Sequence, residues 1–338
     1  MSIEITITRD GNPTTPYIVN DLQKYIDSIA SWTKDKGEGA GSFGTVYFGR
    51  KKDGTEDNLA FKILTPSHKI ETNLKQETTL FDELTKKISD GCKKYIVDLI
   101  DWGTSEVNAK INNKDSIRKI YIVVMEKPKG FIPINKYIEN NSNANLVEIQ
   151  KIYINLLKGI YCINSSGFVH CDIKPANIMV NTTNQEIKYI DFGGLIQNGK
   201  KCDIGTPNYF NGNILETYYN GARDLYAIGV TIEKMLKNSI DIKTQFNTYA
   251  TNNKLLTLDD LLSKIDFKQK VIKLQDFYRS ICEDEYIEIG ELKKDTTEIY
   301  FLNKNGYKTF IKKTDPNNPN NIKTLIDNDF GELYTTTP

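Results

Sequence analysis

The chain has 338 residues, with 44 Lys and Arg against 44 Asp and Glu and so a formal net charge of zero. Neither nucleic acid nor an anionic membrane is therefore the expected partner, and no apolar run is long enough to span a bilayer. Five cysteines (Cys92, Cys162, Cys171, Cys202 and Cys282) form an odd set without metal-type spacing. They read as free thiols of a reducing cytosol rather than a disulfide framework, and the expected location is cytoplasmic, a host cell's cytoplasm included.

"IEITI" at 3–7 predicts a short strand within a polar, alternating N-terminus that does not read as a secretory leader. "NDLQKYIDSIASW", from Asn20 to Trp32, has an Asn cap and helical apolar spacing. "GTVYFGR" and "NLAFKIL" predict strands around the turn "KKDGTED". "ETNLKQETTLFDELTKKI" predicts an amphipathic helix with Leu74, Phe81, Leu84 and Ile88 near one face. "YIVDLIDWG" and "IYIVVMEKPKG" predict further strands, and Lys127–Gly130 a hinge. Beyond it the pattern turns helical, most clearly in "LVEIQKIYINLLKGIYCINSSG". "LTLDDLLSKI" and "KQKVIKLQDFYRSICED" predict helices, and "EIYFLNKNGYKTFIKK" a hairpin turning at Asn305-Gly306.

The glycine cluster "GEGAGSFGTVYFGR" holds Gly39, Ala40, Gly41, Ser42, Phe43 and Gly44, followed by Val46. A G-x-G-x-x-G alone also suits a flexible hairpin. Here it lies between two strands, which favours a flap covering phosphates over a dinucleotide fold. Lys62 interrupts the apolar run "LAFKIL". A buried lysine needs a partner, and Glu77 on the following helix fits, with Glu83 as the runner-up. "GFVHCDIKPANIMV" places His170, Asp172, Lys174 and Asn177 in a loop between two short buried strands, and such loops carry chemistry.

These landmarks, with "DFG" at Asp191–Gly193, "GTPNY" at Gly205–Tyr209 and "DLYAIG" at Asp224–Gly229, resemble in content and order those of eukaryotic-type Ser/Thr protein kinases. The helix around Glu77 is similar to that of casein-kinase-like and vaccinia-related kinases. The resemblance implies an α+β, two-lobed fold with a β-rich N-lobe and a mainly helical C-lobe. The expected division is an N-terminal extension over 1–33, the N-lobe over 34–126, the C-lobe over 127–285 and a C-terminal extension over 286–338. It also implies ATP and Mg²⁺ as cofactors and Ser/Thr-bearing proteins as substrates. Asp172 then corresponds to the residue accepting the hydroxyl proton, and Lys174 to the cation on the transferring phosphoryl group. Asn177 and Asp191 correspond to the Mg²⁺ ligands, and Lys62, held by Glu77, to the α- and β-phosphate contact. Val46, Ala60 and Met179 correspond to residues enclosing adenine, with Met125 as gatekeeper. Glu126 to Pro128 correspond to the backbone at the adenine edge. Pro128 has no N–H, so Lys127 is the expected donor.

Three departures stand out. Cys171 replaces the Arg that in the family meets an activation-loop phosphate, and "GLIQNGKKCDI" contains no Ser, Thr or Tyr. "FNGNILE" stands where Ala-Pro-Glu is usual, leaving Glu216 and Arg279 as substitutes for its ion pair. Two other functions compete: a small-molecule kinase of the aminoglycoside or choline type, and a pseudokinase scaffold. Lys174-Pro175 and "GTPNY" favour the protein kinase over the former, and intact Lys62, Asp172, Asn177 and Asp191 over the latter.

Overall fold

A computed structural model describes residues 2–23, 26, 45–64, 70–111, 114–140, 145–197, 200, 205–210, 221–237, 240–253 and 255–262, with four strands inside 287–336. The chain forms two compact units, residues 1–86 with 97–129, and residues 87–96 with 130–338.

In the first unit, β1 (Ile3–Arg9) and β2 (Asn12–Val19) form an antiparallel hairpin. It joins β3 (Thr45–Lys51), β4 (Leu59–Leu64), β5 (Leu99–Ile111) and β6 (Lys114–Glu126) in a closed barrel of order β1-β2-β3-β4-β6-β5. Both seams of the hairpin lie at a glycine. A Cβ on Gly49 would sit 2.0 Å from the Ile18 carbonyl oxygen, and one on Gly103 2.4 Å from that of Thr8. Ile5, Ile7, Tyr17 and Val19 pack with Phe61, Ile63, Ile122 and Val124 in one core. The Tyr17 hydroxyl donates to Asp101 Oδ2 at 2.9 Å, tying β2 to β5. The segment expected as an N-terminal extension thus forms a wall of this unit. Of the helix expected over Asn20–Trp32, Asn20 to Gln23 and Ile26 are described, with Leu22, Gln23 and Ile26 helical, and Leu22 and Ile26 join the core. Helix α1 (Ile70–Lys87) follows β4 and buries Leu74, Phe81 and Leu84.

The second unit includes the short helix α2 (Asp90–Lys93) and resumes at Gly130 with β7 (Phe131–Pro133) and α3 (Ile134–Asn140). Its central helix is α4 (Leu146–Ser165), whose N-terminus is capped by the Asn145 side chain accepting from Val147 N. β8 (Phe168–Val169), β9 (Ile178–Asn181), β10 (Ile187–Tyr189) and β11 (Ile196–Gln197) form two small sheets, β10-β9-β7 and β11-β8. Helices α5 (Gly221–Met235), α6 (Ile240–Asn252) and α7 (Leu258–Leu262) follow. The strands β12 (Ile287–Ile289), β13 (Glu298–Asn303), β14 (Lys308–Lys312) and β15 (Leu333–Thr336) form a sheet in sequence order. β13 and β14 are the expected hairpin, paired from Glu298↔Lys312 to Leu302↔Lys308, while its turn and the helix expected over 268–284 lie outside the described residues.

The cysteine reading needs correction. Cys92 in α2 and Cys162 in α4 form a disulfide with Cα atoms 5.6 Å apart. Their sequence separation of 70 gave no spacing signal; the tertiary fold brings them together. Cys171 is a buried free thiol, and Cys202 and Cys282 lie outside the described residues. Among the described residues, no helix is long and apolar enough to cross a membrane.

Candidate active site

Strand register sorts the first unit's candidates. Residues directly opposite on antiparallel strands share a face. Val46 pairs with Lys62, Phe48 with Ala60, and Ala60 with Met125. Val46, Ala60, Lys62 and Met125 therefore share the face opposite the core residues Phe61 and Ile63. Lys62 is buried, and its Nζ donates to Glu77 Oε1 at 2.8 Å. Glu77 rather than Glu83 takes this place because it is three residues after Leu74 and four before Phe81, on the buried stripe of α1. The pair is shielded on both sides, with side-chain exposures of 4% and 12%.

The hinge expectation is corrected. Lys127 N–H is not turned to a ligand but donates to the Asn58 carbonyl at 2.9 Å, and Glu126 N–H donates to Asp98 O at 3.0 Å. The β4–β6 ladder, which pairs Leu59 with Glu126, extends one residue further and consumes the donor. The glycine cluster, Gly39 to Gly44, lies outside the described residues.

In the second unit, the apolar segments Phe168–Val169 and Ile178–Val180 flank the loop 170–177, and Pro175–Asn177 close it as a single 3₁₀ turn. Asp172 is buried and hydrogen-bonded at both carboxylate oxygens. Its Oδ2 accepts from Lys174 Nζ at 2.7 Å and from Asn177 Nδ2 at 2.9 Å. Its Oδ1 accepts from Thr206 Oγ1 at 2.6 Å. Lys174 Nζ also donates to Thr206 Oγ1 at 2.9 Å. Asn177 spends Nδ2 a second time on the Asp172 carbonyl at 2.8 Å, so both of these bonds use the amide nitrogen and Oδ1 is the oxygen suited to a cation. Ile190 N–H donates to Asn177 O at 3.0 Å, which fixes the strand end leading to Asp191. Asp191 itself is left-handed, with φ 60° and ψ 73°. Met179 is half-buried on β9.

His170 is fully buried against Phe192, with ring centroids 5.2 Å apart, and its Nε2 lies 3.2 Å from Ile190 O. It packs rather than faces solvent. Sequence reasoning did not assign a role to Asp224, yet Asp224 holds the loop. Its Oδ2 accepts from His170 N at 2.9 Å and its Oδ1 from Cys171 N at 3.0 Å. Burial raises its carboxyl above the usual value, and neighbouring His170 with these two N–H groups pulls against that rise. A buried acid inside "DLYAIG" was the signal available for it.

The donor set suits Mg²⁺. Among the described residues no three His, Cys, Asp or Glu side chains cluster for a metal. A site of one carboxylate and one amide oxygen, completed by phosphate and water, requires no such cluster.

Comparison with known proteins agrees with this geometry. The chain is 25% identical over 288 residues to the Citron Rho-interacting kinase of Mus musculus, covering 78% of this chain and 13% of that protein. It is 34% identical over 192 residues to the "Probable serine/threonine-protein kinase FMP48" of Saccharomyces cerevisiae, covering 53% and 46%. It is 27% identical over 226 residues to the CBL-interacting serine/threonine-protein kinase 24 of Arabidopsis thaliana, covering 62% and 45%. The chain thus spans less than half the length of each of these relatives. The Protein kinase domain family matches residues 32–314, and the chain belongs to that family, whose fold is two-lobed.

Proposed function

We propose that the protein transfers the γ-phosphoryl group of ATP to Ser and Thr hydroxyls of protein substrates, without phosphorylation of its own activation segment. The observation that carries this reading is the Asp172 carboxylate held between Lys174, Asn177 and Thr206. A carboxylate so restrained meets an incoming hydroxyl without reorganising. Asp172 orients that hydroxyl and accepts its proton as the new O–P bond forms and the bond from Pγ to the bridging oxygen of ADP breaks. Lys174 offsets the charge of the transferring group. Asn177 Oδ1 and the Asp191 carboxylate are the oxygen donors for Mg²⁺, which when bound neutralises phosphate charge. In the first unit Lys62, fixed by Glu77, is the residue for the α- and β-phosphates, and Val46, Ala60 and Met125 are those for the base; in the second unit Met179 is the residue assigned to the base. Lys174 bonded to Thr206 supports Ser/Thr over Tyr acceptors.

Incubation with γ-labelled ATP and a protein mixture tests this. Labelled phosphoserine and phosphothreonine are expected, lost in Asp172→Asn with nucleotide binding retained, and lost in Asp191→Ala. Label confined to small molecules, or to phosphotyrosine, or absent altogether, overturns the reading. Phosphatase treatment before assay is expected to leave the rate unchanged.

A further inference from the structure

Two neighbouring residues of α5 grip one residue of the catalytic loop from both ends. Asp224 Oδ1 accepts the Cys171 N–H at 3.0 Å, and Arg223 Nε donates to the Cys171 carbonyl at 3.3 Å. Cys171 lies between them in the left-handed region, with φ 67°, a conformation that a residue with a Cβ holds only when its surroundings impose it. The same Arg223 guanidinium stands 4.7 Å from the ring centroid of Phe210. One residue earlier in that segment, the Tyr209 ring lies 4.4 Å from Lys234 Nζ, which also donates to the Tyr209 hydroxyl. Helix α5 therefore holds residues 209 and 210 by two cation–aromatic contacts. Tyr209 N–H donates to Thr206 O at 3.2 Å, and Thr206 donates to Asp172 Oδ1. A continuous chain of contacts runs from Arg223 through Phe210 and Tyr209 to Thr206 and the Asp172 carboxylate.

We propose that Arg223 is a positioning residue that replaces the phosphate-dependent switch: its guanidinium, fixed between the Cys171 carbonyl and the Phe210 ring, permanently orders residues 205–210 against the catalytic loop. The proposal rests on the protein-kinase reading above. Ordering such a segment by phosphate needs an acceptor hydroxyl and a cationic reader. Leu195–Ile204 contains no Ser, Thr or Tyr, and Cys171 is no cation. Arg223 supplies the cation from the opposite side, and an aromatic ring takes the place of the phosphate. A ring cannot be removed by a phosphatase, so the segment is built ordered.

The test compares wild type with Arg223→Leu, Phe210→Leu, Phe210→Trp and the Arg223→Leu/Phe210→Leu double variant. Two readouts are taken: steady-state phosphorylation of a protein substrate, and amide hydrogen exchange of residues 205–210 in protein without substrate. Arg223→Leu and Phe210→Leu are each expected to lower kcat/KM for protein substrate roughly 10-fold, and the double variant no further than Arg223→Leu alone, because the Arg223–Phe210 contact is lost in either single variant. The Kd of a fluorescent ATP analogue should stay within about twofold, since the contact binds no nucleotide. Phe210→Trp, which keeps an aromatic face, should stay within about threefold of wild type. Exchange at 205–210 should accelerate in both Leu variants. Additive losses, or wild-type exchange at 205–210 in Arg223→Leu, overturn the clamp. If wild type transfers no phosphate to protein, the kinase reading fails, and the exchange comparison still decides the clamp.

Discussion

Thr206 Oγ1 donates to Asp172 Oδ1 at 2.6 Å while it accepts from Lys174 Nζ at 2.9 Å. One hydroxyl from the segment 205–210 thereby bridges the proposed base and its neighbouring cation. With Asn177 on Oδ2, both carboxylate oxygens are restrained from separate parts of the chain. Thr206→Val keeps the shape and removes the donor. It is expected to lower kcat by about 10- to 100-fold, the range for losing a hydrogen bond to a charged group. Thr206→Ser should recover most of the rate. Equal rates for the Val and Ser variants would show that the hydroxyl does not position Asp172.

The Lys62–Glu77 pair invites a comparison of stability with activity. Both partners are shielded, so removing one takes the main ion-pair partner from a buried charge, at a cost of up to about 3–5 kcal/mol. Lys62→Met and Glu77→Ala are each expected to lower the unfolding free energy by this order in urea titration. The Lys62→Met/Glu77→Leu double variant, which buries no charge, should recover much of the stability but none of the activity. Recovery of phosphoryl transfer in the double variant would remove Lys62 from the phosphate-binding role.

Much of this site was legible in sequence because its residues sit in local patterns. Lys62 stands inside an apolar strand, and Asp172, Lys174 and Asn177 lie within six residues of one another. The hairpin β1–β2 was only half legible. Pro13 and Pro16 lack the N–H that a central strand needs, yet β2 meets β3 only through Tyr17–Val19, so the prolines fall where β2 has one partner. Closure onto β5 depends on Thr8 meeting Thr104, 96 positions apart in sequence, and no local period encodes that. The same holds for Cys92 with Cys162, and for Arg223 with Cys171 and Phe210. Each joins residues whose separation is set by the tertiary fold.

The hinge departs from its expected chemistry in a measurable way. Pro128 has no N–H, and the Lys127 N–H is spent on Asn58 O. That leaves no donor at either position for ring nitrogen N1 of adenine. An ATP analogue with carbon in place of N1 is therefore expected to bind within about twofold of ATP. A loss of about tenfold, the equivalent of one neutral hydrogen bond, would show that Lys127 releases Asn58 on binding.

The disulfide between Cys92 and Cys162 closes a loop of 70 residues. Chain-entropy reasoning assigns such a crosslink about 4 kcal/mol. Wild type is expected to melt about 10 °C lower after reduction with dithiothreitol, whereas Cys92→Ser should melt at that lower value with or without reductant. Alkylation of both cysteines in native, unreduced protein, with an unchanged melting temperature after reduction, would exclude the crosslink.

The N-terminal hairpin is the remaining element to test, because its position decides whether it regulates the protein or builds it. A regulatory appendage can be removed without loss of the fold. This hairpin contributes Ile5, Ile7, Tyr17 and Val19 to the barrel core, and full burial of four such side chains is worth about 6–12 kcal/mol. That is of the order of the whole stability of a domain. The Tyr17 hydroxyl on Asp101 adds a buried bond, and its removal would leave a carboxylate at 5% exposure with one partner fewer. Deleting residues 2–19 is therefore expected to yield protein without a cooperative melting transition. Gly103→Val is the subtler probe, since its Cβ would meet the Thr8 carbonyl oxygen at 2.4 Å, and a clash with backbone cannot be relieved by a rotamer change. It should accelerate amide exchange in residues 3–19 and lower the melting temperature, while exchange in α4, which belongs to the other unit, stays slow. A truncated protein that melts like wild type would show that β3 to β6 close their core without the hairpin.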